Sequence, residues 1–375
     1  MNGSACKAIV TALVVALIGG RAAIAAEEIK TLETGAKAPD FKLPGVDGKM
    51  HKLSEYDEAK ILVIVFTCNH CPTAQAYEER VKKLAADYRD KGITLVAISP
   101  NDPQAVRLDE LGYTDLSDSL DEMKIRAKDK GFNFPYLYDG DKQEVAKAYG
   151  PMTTPHVFIF DSERKLRYAG RVDNNEKQPD KVTSADARNA IEALLAGRPV
   201  PVEKTKTFGC SIKWSDKRAS VKQAFEKWAQ EPITLQTIDL EGVKKVLKND
   251  SNDVCLVNIW STRCGPCVAE FPEFIEVNRM YRGREFKMMS INVEGSEAKD
   301  RVLSFLKKNQ ASFTNHVYDG DVYAFIDAVD PKWPGAIPYT LLIKPRGEVA
   351  YRHLGEIEPF EVKKAVVECL GRVYK

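Results

Sequence analysis

The feature that most constrains this chain is a pattern that occurs twice, an apolar run followed closely by a Cys-x-x-Cys motif. In the first half, the run ILVIVF at 61–66 leads into CNHC at 68–71, and in the second half the run CLVNIW at 255–260 leads into CGPC at 264–267. Each motif is followed by apolar residues at helical spacing and then by a second strand pattern, at 93–99 and at 286–293. The sequence therefore predicts two strand–cysteine–helix units in one chain.

The two halves continue through the same order of elements. Both contain a Tyr-Asp-Gly-Asp segment, at 138–141 and at 318–321, and both then reach a proline that opens a strand, Pro155 or Pro338. Proline lacks the N–H that an interior strand residue donates, so the first position of a strand is an allowed place for it. The strands that follow these prolines are predicted at 156–160 and 339–343, and a hairpin continues each of them, in the first half into a strand at 166–170. An amphipathic helix ends each half, at about 184–196 and 358–371. Strands alternating with helices predict an α/β fold with helices flanking a sheet, duplicated and diverged.

Length and charge set the outer limits of the interpretation. A chain of 375 residues with 44% hydrophobic and 29% charged residues suits two or three folded domains. The 55 Lys and Arg against 54 Asp and Glu give a net charge of +1, without the basic excess typical of nucleic-acid-binding proteins. We therefore expect no nucleic-acid partner. We place the two domains at 26–196 and 217–375, joined by a linker at 197–216.

The first 25 residues have the composition of a targeting segment. Lys7 precedes an apolar run at 8–18, and the small residues Ala23 and Ala25 follow it in the spacing of a signal-peptidase site. The run is shorter than the roughly 20 residues of a membrane-spanning helix. We therefore expect residues 1–25 to be a signal peptide and the protein to be exported to the periplasm or cell envelope. A membrane association is expected only if the signal stays uncleaved.

Export changes the interpretation of the cysteines. Outside the expected signal peptide they are Cys68, Cys71, Cys210, Cys255, Cys264, Cys267 and Cys369. This set is sparse and odd in number, unlike a disulfide-stapled scaffold. A Cys-x-x-Cys pair at a strand-to-helix junction places its first thiol at a helix N-terminus, where the thiolate is favoured, and the second thiol resolves the mixed disulfide. Cys68 and Cys264 are the expected nucleophiles, and Cys71 and Cys267 the resolving thiols. The alternatives are a static disulfide or part of a zinc site.

On these motifs the chain resembles a tandem thioredoxin-fold protein. Residues 35–200 resemble the redoxin (AhpC/TSA-like) branch, through GAKAPDFKL at 35–43 and FTCNHCP at 66–72. Residues 252–375 resemble the TlpA/ResA-like thiol–disulfide oxidoreductases, through WSTRCGPCVAEFP at 260–272. The resemblance implies two thioredoxin-like domains, each a mixed central sheet flanked by helices.

The resemblance also implies roles for residues outside the cysteine pairs. It implies that Pro155 and Pro338 are cis and face the cysteines, whereas the alternative is a trans proline that only opens a strand. Glu270 matches a buried acid that exchanges protons with the cycling thiols, and the alternative is an exposed acid in the first turn of the helix. His70 lies where a histidine stabilises the thiolate of oxidising relatives, whereas Gly-Pro at 265–266 is the dipeptide of reducing ones.

Two other functions stay open for the first half. The redoxin resemblance raises a peroxiredoxin-like antioxidant activity, but that family places Thr three residues before its reactive Cys, and Val65 stands there. The cluster of Cys68, His70 and Cys71 has ligand types that suit copper, so a copper- or client-binding chaperone is the other alternative. Cys210 is either an additional redox partner of the first pair or an unpaired thiol.

The function that accounts for most of these residues is thiol–disulfide exchange. We expect an exported oxidoreductase that reduces or exchanges protein disulfides through its two Cys-x-x-Cys sites. Cys264 is expected to act as a reductant, and Cys68 to exchange at a more oxidising potential. The expected partners are protein thiols or disulfides and an upstream redox partner. The mechanism calls for no cofactor and no metal.

Overall fold

The structure, a computed structural model, describes residues 29–374. The predicted signal peptide lies outside the described residues. Within 29–374, no helix combines the length and apolar character that crossing a membrane requires.

The elements of the first half are followed along the chain by those of the second. The first half contains β1 (Lys42–Pro44), β2 (Met50–Lys52), β3 (Ile61–Phe66), α1 (Pro72–Tyr88), β4 (Ile93–Ser99), α2 (Leu120–Lys130), β5 (Tyr136–Tyr138), α3 (Glu144–Tyr149), β6 (Thr153–Thr154), β7 (His156–Phe160), β8 (Leu166–Gly170), α4 (Asp186–Leu195) and β9 (Cys210–Ser211). The second half contains α5 (Arg218–Trp228), β10 (Gln236–Ile238), α6 (Leu240–Lys248), β11 (Val254–Trp260), α7 (Gly265–Tyr281), β12 (Phe286–Asn292), α8 (Lys299–Lys308), β13 (Thr314–Tyr318), α9 (Val322–Val329), β14 (Tyr339–Ile343), β15 (Val349–Leu354) and α10 (Pro359–Leu370).

Each half forms a mixed sheet with the same strand arrangement. The first sheet has the order β5-β4-β3-β7-β8, in which β5, β4 and β3 are parallel, and β7 pairs antiparallel with both β3 and β8. The second has the order β10-β13-β12-β11-β14-β15, which repeats this arrangement and adds β10 as a parallel edge strand. The predicted fold of two thioredoxin-like domains, each with a mixed sheet and flanking helices, is confirmed.

The strand that leads into each cysteine motif is buried on both faces, which explains why its sequence is apolar throughout in β3 and apolar except for Asn258 in β11. Every residue of β3 and of β11 is buried. In β3, Val63 and Val65 pack in the hydrophobic cluster that includes α1 and α4, whereas Ile64 and Phe66 pack in the cluster that includes α3. The cysteines therefore follow the end of a strand whose orientation is fixed from both sides.

Most predicted elements agree with the structure. The strands predicted at 61–66, 93–99, 156–160, 166–170 and 339–343 have those same bounds. The terminal helices predicted at 184–196 and 358–371 are slightly shorter, at Asp186–Leu195 and Pro359–Leu370.

The segment predicted as a linker, 197–216, connects the two sheets but is packed on the first domain. Val200 and Phe208 join the cluster under α1 and α4, and Ile212 is only 1% exposed. Within this segment, β9 pairs antiparallel with β6, the short strand that precedes Pro155. The segment therefore contributes a strand beside the first cysteine pair.

The loop between β4 and α2 forms part of the contact between the two domains. Leu111 belongs to the same hydrophobic cluster as α7. The Tyr281 hydroxyl donates to the Thr114 carbonyl at 2.7 Å, and Arg372 donates two hydrogen bonds to the Asp115 carboxylate at 2.6 and 2.8 Å. The two domains are thus joined by apolar packing and by a bidentate ion pair.

Candidate active sites

The second cysteine pair lies where the end of β11 meets the start of α7. Cys264 is the N-cap of α7, and its sulfur accepts a hydrogen bond from the Cys267 N–H at 3.2 Å. The two cysteines are joined by a disulfide, with Cys264 half-buried and Cys267 buried. The Cys264 sulfur lies 3.7 Å from the carbonyl oxygen of Ile337, and the Ile337–Pro338 peptide bond is cis. Cys264 is therefore the more accessible of the two cysteines, and it lies beside the cis-proline loop.

A half-buried carboxylate fixes the loop that precedes Cys264. Glu294 accepts hydrogen bonds from the Ser261 hydroxyl at 2.8 Å, from the Thr262 hydroxyl at 2.7 Å and from the Thr262 N–H, and it pairs with Arg301. Burial alone would raise the pKa of Glu294, but hydrogen bonds from Arg301, Thr262 and Ser261 outweigh it and lower that pKa to about 2. The carboxylate stays ionised and holds the backbone that presents Cys264.

Glu270 is buried one helical turn after Cys267. It is 2% exposed, and its two carboxylate oxygens accept from the Asn258 side-chain N–H at 3.0 Å and the Ile357 backbone N–H at 2.9 Å. Burial raises the pKa of Glu270 to about 7, because removal from water disfavours the charged form. The carboxyl group is therefore buried, as the resemblance implies, and poised to gain or lose a proton near neutral pH.

In the first pair the second cysteine, and not the first, lies at the helix N-terminus. Helix α1 begins at Pro72, its N-cap is Cys71, and the Ala74 N–H donates to the Cys71 sulfur at 3.4 Å. The residue before a proline is disfavoured in helical conformation, so Cys71 is extended and the helix cannot begin earlier. The prediction that the first thiol of each pair lies at a helix N-terminus is correct for Cys264 and wrong for Cys68.

Both thiols of the first pair contact the residue that precedes the cis-proline. The Cys68 sulfur lies 3.1 Å from the Thr154 hydroxyl, and the Cys71 sulfur lies 3.1 Å from the Thr154 carbonyl oxygen. The Thr154–Pro155 peptide bond is cis. In both halves, therefore, a cysteine pair lies against a cis-proline loop.

His70, between the two cysteines, is held by a buried aspartate. Its Nδ1 lies 2.5 Å from Asp118, which also accepts from the backbone N–H groups of Asn69 and His70 and from the Asn101 side chain. Burial would lower the pKa of His70, but the charge and hydrogen bond of Asp118 outweigh it and raise that pKa. Among the described residues, the buried His70 Nε2 has no hydrogen-bond partner.

The two thiols differ in acidity. Burial, followed by the interaction with Cys71, raises the pKa of Cys68 well above that of an ordinary thiol. Burial would also raise the pKa of Cys71, but hydrogen bonds from Cys210 and Cys68, together with the charge of His70, lower it well below the ordinary value. The electrostatics therefore place the thiolate of the first site on Cys71.

A third cysteine and Tyr374 of the second domain adjoin this site. The Cys210 backbone N–H donates to the Cys71 sulfur at 3.3 Å, and Cys210 is partly exposed. Tyr374, the last described residue, interacts with the Cys210 thiol, and its ring lies 4.8 Å from that of Tyr113. The second domain therefore contributes a side chain at the open side of the first site.

The first site also contains a possible metal-binding group. Cys68, His70 and Asp118 are all buried, and each offers a ligand atom within 4.8 Å of the others. The sequence suggested Cys71 as the third ligand of this cluster, but in the structure Asp118 completes the group. Thiolate, imidazole and carboxylate together suit a soft or borderline transition metal.

Comparison with known proteins identifies the family of each half. Residues 34–169 match the AhpC/TSA family, and residues 220–367 match the Redoxin family. ResA of Geobacillus thermodenitrificans, a thiol–disulfide oxidoreductase, is 25% identical over 140 residues, which are 37% of this chain and 70% of that protein. Both halves are therefore thioredoxin-like, and the chain is similar to thiol–disulfide oxidoreductases of the ResA type. Both resemblances that the motifs indicated are confirmed.

Other relatives of these thioredoxin-like domains have different names. A putative peroxiredoxin of Mycobacterium tuberculosis is 30% identical over 148 residues, covering 39% of this chain and 82% of that protein. The solved structure of an uncharacterized conserved protein from Geobacillus kaustophilus is 40% identical, covers 49% of this chain and 93% of that one, and has a TM-score of 0.44. The chain also matches three further ResA proteins, over 57%, 58% and 62% of their length.

Sequence reasoning missed several residues that build these thioredoxin-like sites. Asp118 lies in a long loop, 48 positions from His70, with no motif around it, so only the fold reveals their contact. Glu294 follows β12 and is equally unmarked in the sequence. The sequence marks Cys210 as a candidate redox partner, but it does not show that Thr154 and Tyr374 lie beside it.

Proposed function

We propose that this protein is an exported thiol–disulfide oxidoreductase with two Cys-x-x-Cys sites of different character. The observation that carries the proposal is that each half brings a cysteine pair, at a strand-to-helix junction, against the residue before a cis-proline. Sulfur-to-oxygen distances to these residues are 3.1 Å at Thr154 and 3.7 Å at Ile337. At the second site Cys264 is only half-buried, so a sulfur of a partner protein can reach it.

At the second site, the proposed reaction is reduction of a substrate disulfide. The Cys264 thiolate attacks one substrate sulfur, the substrate S–S bond breaks, and one substrate thiolate leaves. Cys267 then gives its proton to Glu270 and attacks Cys264, which forms the Cys264–Cys267 disulfide and releases the second substrate thiolate. Two electrons pass from the dithiol to the substrate. Glu270, with a pKa of about 7, is suited to accept that proton at neutral pH.

At the first site, the proposed chemistry is exchange at a more oxidising potential. Hydrogen bonds and the His70–Asp118 pair stabilise a thiolate on Cys71. Anything that stabilises the reduced form makes the corresponding disulfide a stronger oxidant. The first pair therefore favours accepting electrons, whereas the second pair favours donating them.

Export and the partners are part of the same proposal. The composition of residues 1–25 supports a cleaved signal, and thiol–disulfide exchange suits the periplasm or cell envelope. The proposed partners are protein thiols and disulfides together with an upstream reductant. Expression of the full chain in a Gram-negative host tests export, because the mature mass should correspond to a chain that begins near residue 26. A full-length product retained in the cytoplasm would contradict it.

The enzymatic proposal is tested by insulin reduction with the full chain. With dithiothreitol as reductant, we expect many insulin molecules to be reduced per protein molecule. The double variant Cys264→Ser/Cys267→Ser should lose most of this turnover, whereas Cys68→Ser/Cys71→Ser should retain it. Stoichiometric consumption without turnover would instead indicate a binding protein. Parallel measurement of hydrogen peroxide consumption tests the peroxiredoxin-like alternative.

Metal binding is a second candidate function for the first site, favoured by the buried group of Cys68, His70 and Asp118. Titration of the reduced full chain with copper(I) tests it. A copper site would give tight one-to-one binding that is lost in His70→Ala and kept in Cys264→Ser/Cys267→Ser. Weak binding that is unaffected by His70→Ala would rule this function out.

A further inference from the structure

Cys210 is held against the first cysteine pair by strand pairing. In the pairing of β6 with β9, Thr154 lies directly opposite Cys210. The Cys210 N–H donates to the Cys71 sulfur at 3.3 Å, and the two side chains also interact. Backbone hydrogen bonds therefore fix the position of Cys210 beside Cys71.

A glycine permits this close approach. Gly209 has a φ of +137°, and a Cβ at this position would lie 2.1 Å from the Thr154 carbonyl oxygen. Backbone atoms cannot move away as the end of a side chain can, so any larger residue would push β9 from β6. The local chain thus has the one residue type that lets Cys210 lie beside Cys71.

The three thiols form one cluster with a buried and an exposed end. Cys68, Cys71 and Cys210 pack together with Ala74. Cys71 is fully buried and Cys68 is 3% exposed, whereas Cys210 is partly exposed. The Cys71 sulfur accepts a hydrogen bond from the Cys210 backbone N–H, and both Cys71 and Cys68 contact Thr154. Cys71 is the central sulfur of the cluster, and Cys210 is the sulfur nearest solvent.

We propose that Cys210 is the third redox-active cysteine of the first site, and that a Cys71–Cys210 disulfide alternates with the Cys68–Cys71 disulfide. The exchange would connect the buried pair to a dithiol of a partner protein at the surface. The inference deepens the proposed function and rests on it.

The steps balance without any additional oxidant. The Cys210 thiolate attacks the Cys71 sulfur of the Cys68–Cys71 disulfide, that S–S bond breaks, and Cys68 leaves as a thiolate. One proton is lost from Cys210 and one is gained by Cys68, so this step is an isomerisation. A thiolate of the partner dithiol then attacks Cys210, and Cys71 leaves. The second partner thiol displaces Cys210 from the mixed disulfide. The partner is oxidised, and Cys71 and Cys210 are reduced.

Disulfide mapping in the full chain tests the inference. The variant Cys68→Ser/Cys264→Ser/Cys267→Ser is oxidised with glutathione disulfide, alkylated, digested and analysed by mass spectrometry. We expect a peptide cross-linked through Cys71 and Cys210. Adding Cys210→Ser is the matched control and should leave Cys71 as a thiol or a glutathione adduct. Cys71 joined to glutathione while Cys210 is alkylated, in the variant that retains Cys210, would overturn the inference.

The wild-type chain gives a second measurement that needs no substitution at the site. After equilibration in a glutathione buffer and acid trapping, we expect both the Cys68–Cys71 and the Cys71–Cys210 linkages. If the variant fails to fold, absence of the second linkage in the wild type overturns the inference. Insulin turnover without this linkage would overturn the inference and leave the proposed function intact. The Cys71–Cys210 linkage without insulin turnover would instead contradict the proposed function and leave the linkage itself established.

Discussion

At the scale of single residues, the two cysteine motifs differ in which of their cysteines caps the helix that follows. Cys264 caps α7, whereas Cys71 caps α1. The N–H groups and partial positive charge of a helix N-terminus therefore act on the first cysteine of one motif and on the second cysteine of the other. In the first motif, His70 and Asp118 add to this effect, so the likeness of the two motifs in sequence conceals a difference in chemistry.

The His70–Asp118 pair yields a prediction about Cys71. Asp118→Asn removes the negative partner of His70, so His70 loses its proton at lower pH and the Cys71 thiolate loses a positive neighbour. We expect the pKa of Cys71 to rise, as measured by the ultraviolet absorbance of the thiolate in the reduced Cys264→Ser/Cys267→Ser background. Asp102→Asn, a buried aspartate of the same loop that pairs with Arg218, is the control. An unchanged Cys71 titration in Asp118→Asn would contradict this account.

The same pair contributes to stability in a defined range of pH. The raised pKa of His70 gives a contribution that is complete below 6.5 and is lost as the pH rises through the folded value. The lowered pKa of Asp118 gives one that is complete above 3.8 and is lost as the pH falls through its folded value. The pair therefore stabilises the fold most between these two values.

Glu270 affects the dependence of stability on pH in the direction opposite to Asp118. Its folded pKa of about 7 exceeds the 4.5 of an unperturbed glutamate, so the folded state binds more protons between these values and stability falls as the pH rises through them. We expect Glu270→Gln to remove this loss, which amounts to about 1.4 kcal/mol for each unit of pKa difference. Chemical denaturation of the oxidised chain across this range measures it.

The control for Glu270 is the partly exposed Glu273 on the same helix. Glu273→Gln removes a carboxyl group from the same helix without touching Asn258 or Ile357, and so controls for the loss of a charge. In the reduced Cys68→Ser/Cys71→Ser chain, Glu270→Gln should also slow disulfide exchange and remove the inflection of its rate near neutral pH. A parental pH profile in Glu270→Gln would show that Glu270 is not the proton acceptor.

At the scale of elements, β9 is the piece that distinguishes the first site from the second. Gly209→Ala should move β9 away from β6, because its Cβ would lie 2.1 Å from the Thr154 oxygen. We expect a loss of stability greater than the roughly 1–2 kcal/mol that a left-handed backbone alone costs a non-glycine residue. Denaturant unfolding measures it, and disulfide mapping should show less Cys71–Cys210 linkage.

Gly48→Ala provides the matched control. Gly48 also has a positive φ, +79°, but a Cβ added there would have no atom of residues 29–374 within 4 Å beyond its immediate chain neighbours. The variant should show only the backbone cost and keep the linkage. Equal losses of stability in the two variants would indicate that the contact of β9 with β6 contributes little.

The elements were more predictable from the sequence than the sites they build. Continuous apolar runs such as Ile61–Phe66 are buried on both faces, and their period and length give the strand directly. The start of α1 depends on the effect of Pro72 on the conformation of Cys71. The spacing of the two cysteines alone does not predict this effect. Contacts such as His70 with Asp118 and Cys210 with Cys71 join distant segments, and no local pattern encodes them.

At the scale of the whole molecule, the loop between β4 and α2 links the domain interface to the first site. Asp115 pairs with Arg372 of the second domain, and Asp118, three residues later, holds His70. Tyr374 lies two residues after Arg372 and interacts with Cys210. The position of the second domain and the geometry of the first site are therefore connected through a few residues.

This connection predicts the effect of removing the interface ion pair. Asp115 is 2% exposed as a side chain, so Arg372→Gln leaves a buried carboxylate without its bidentate partner. We expect a loss of roughly 1.5–3 kcal/mol in the free energy of unfolding, typical of a hydrogen bond to a charged group. Lys364→Gln, which breaks the more exposed pair with Asp129, should cost at most about 1 kcal/mol. Equal effects would contradict a specific role for Arg372.

The central claim is that the two cysteine pairs are both redox-active and differ in potential. The most direct measurement is the glutathione redox equilibrium of each pair in the full chain, with the other pair replaced by serine. The account predicts that both pairs cycle between dithiol and disulfide and that the Cys264–Cys267 pair is the more reducing. Equal potentials, or a Cys68–Cys71 pair that does not cycle, would contradict it.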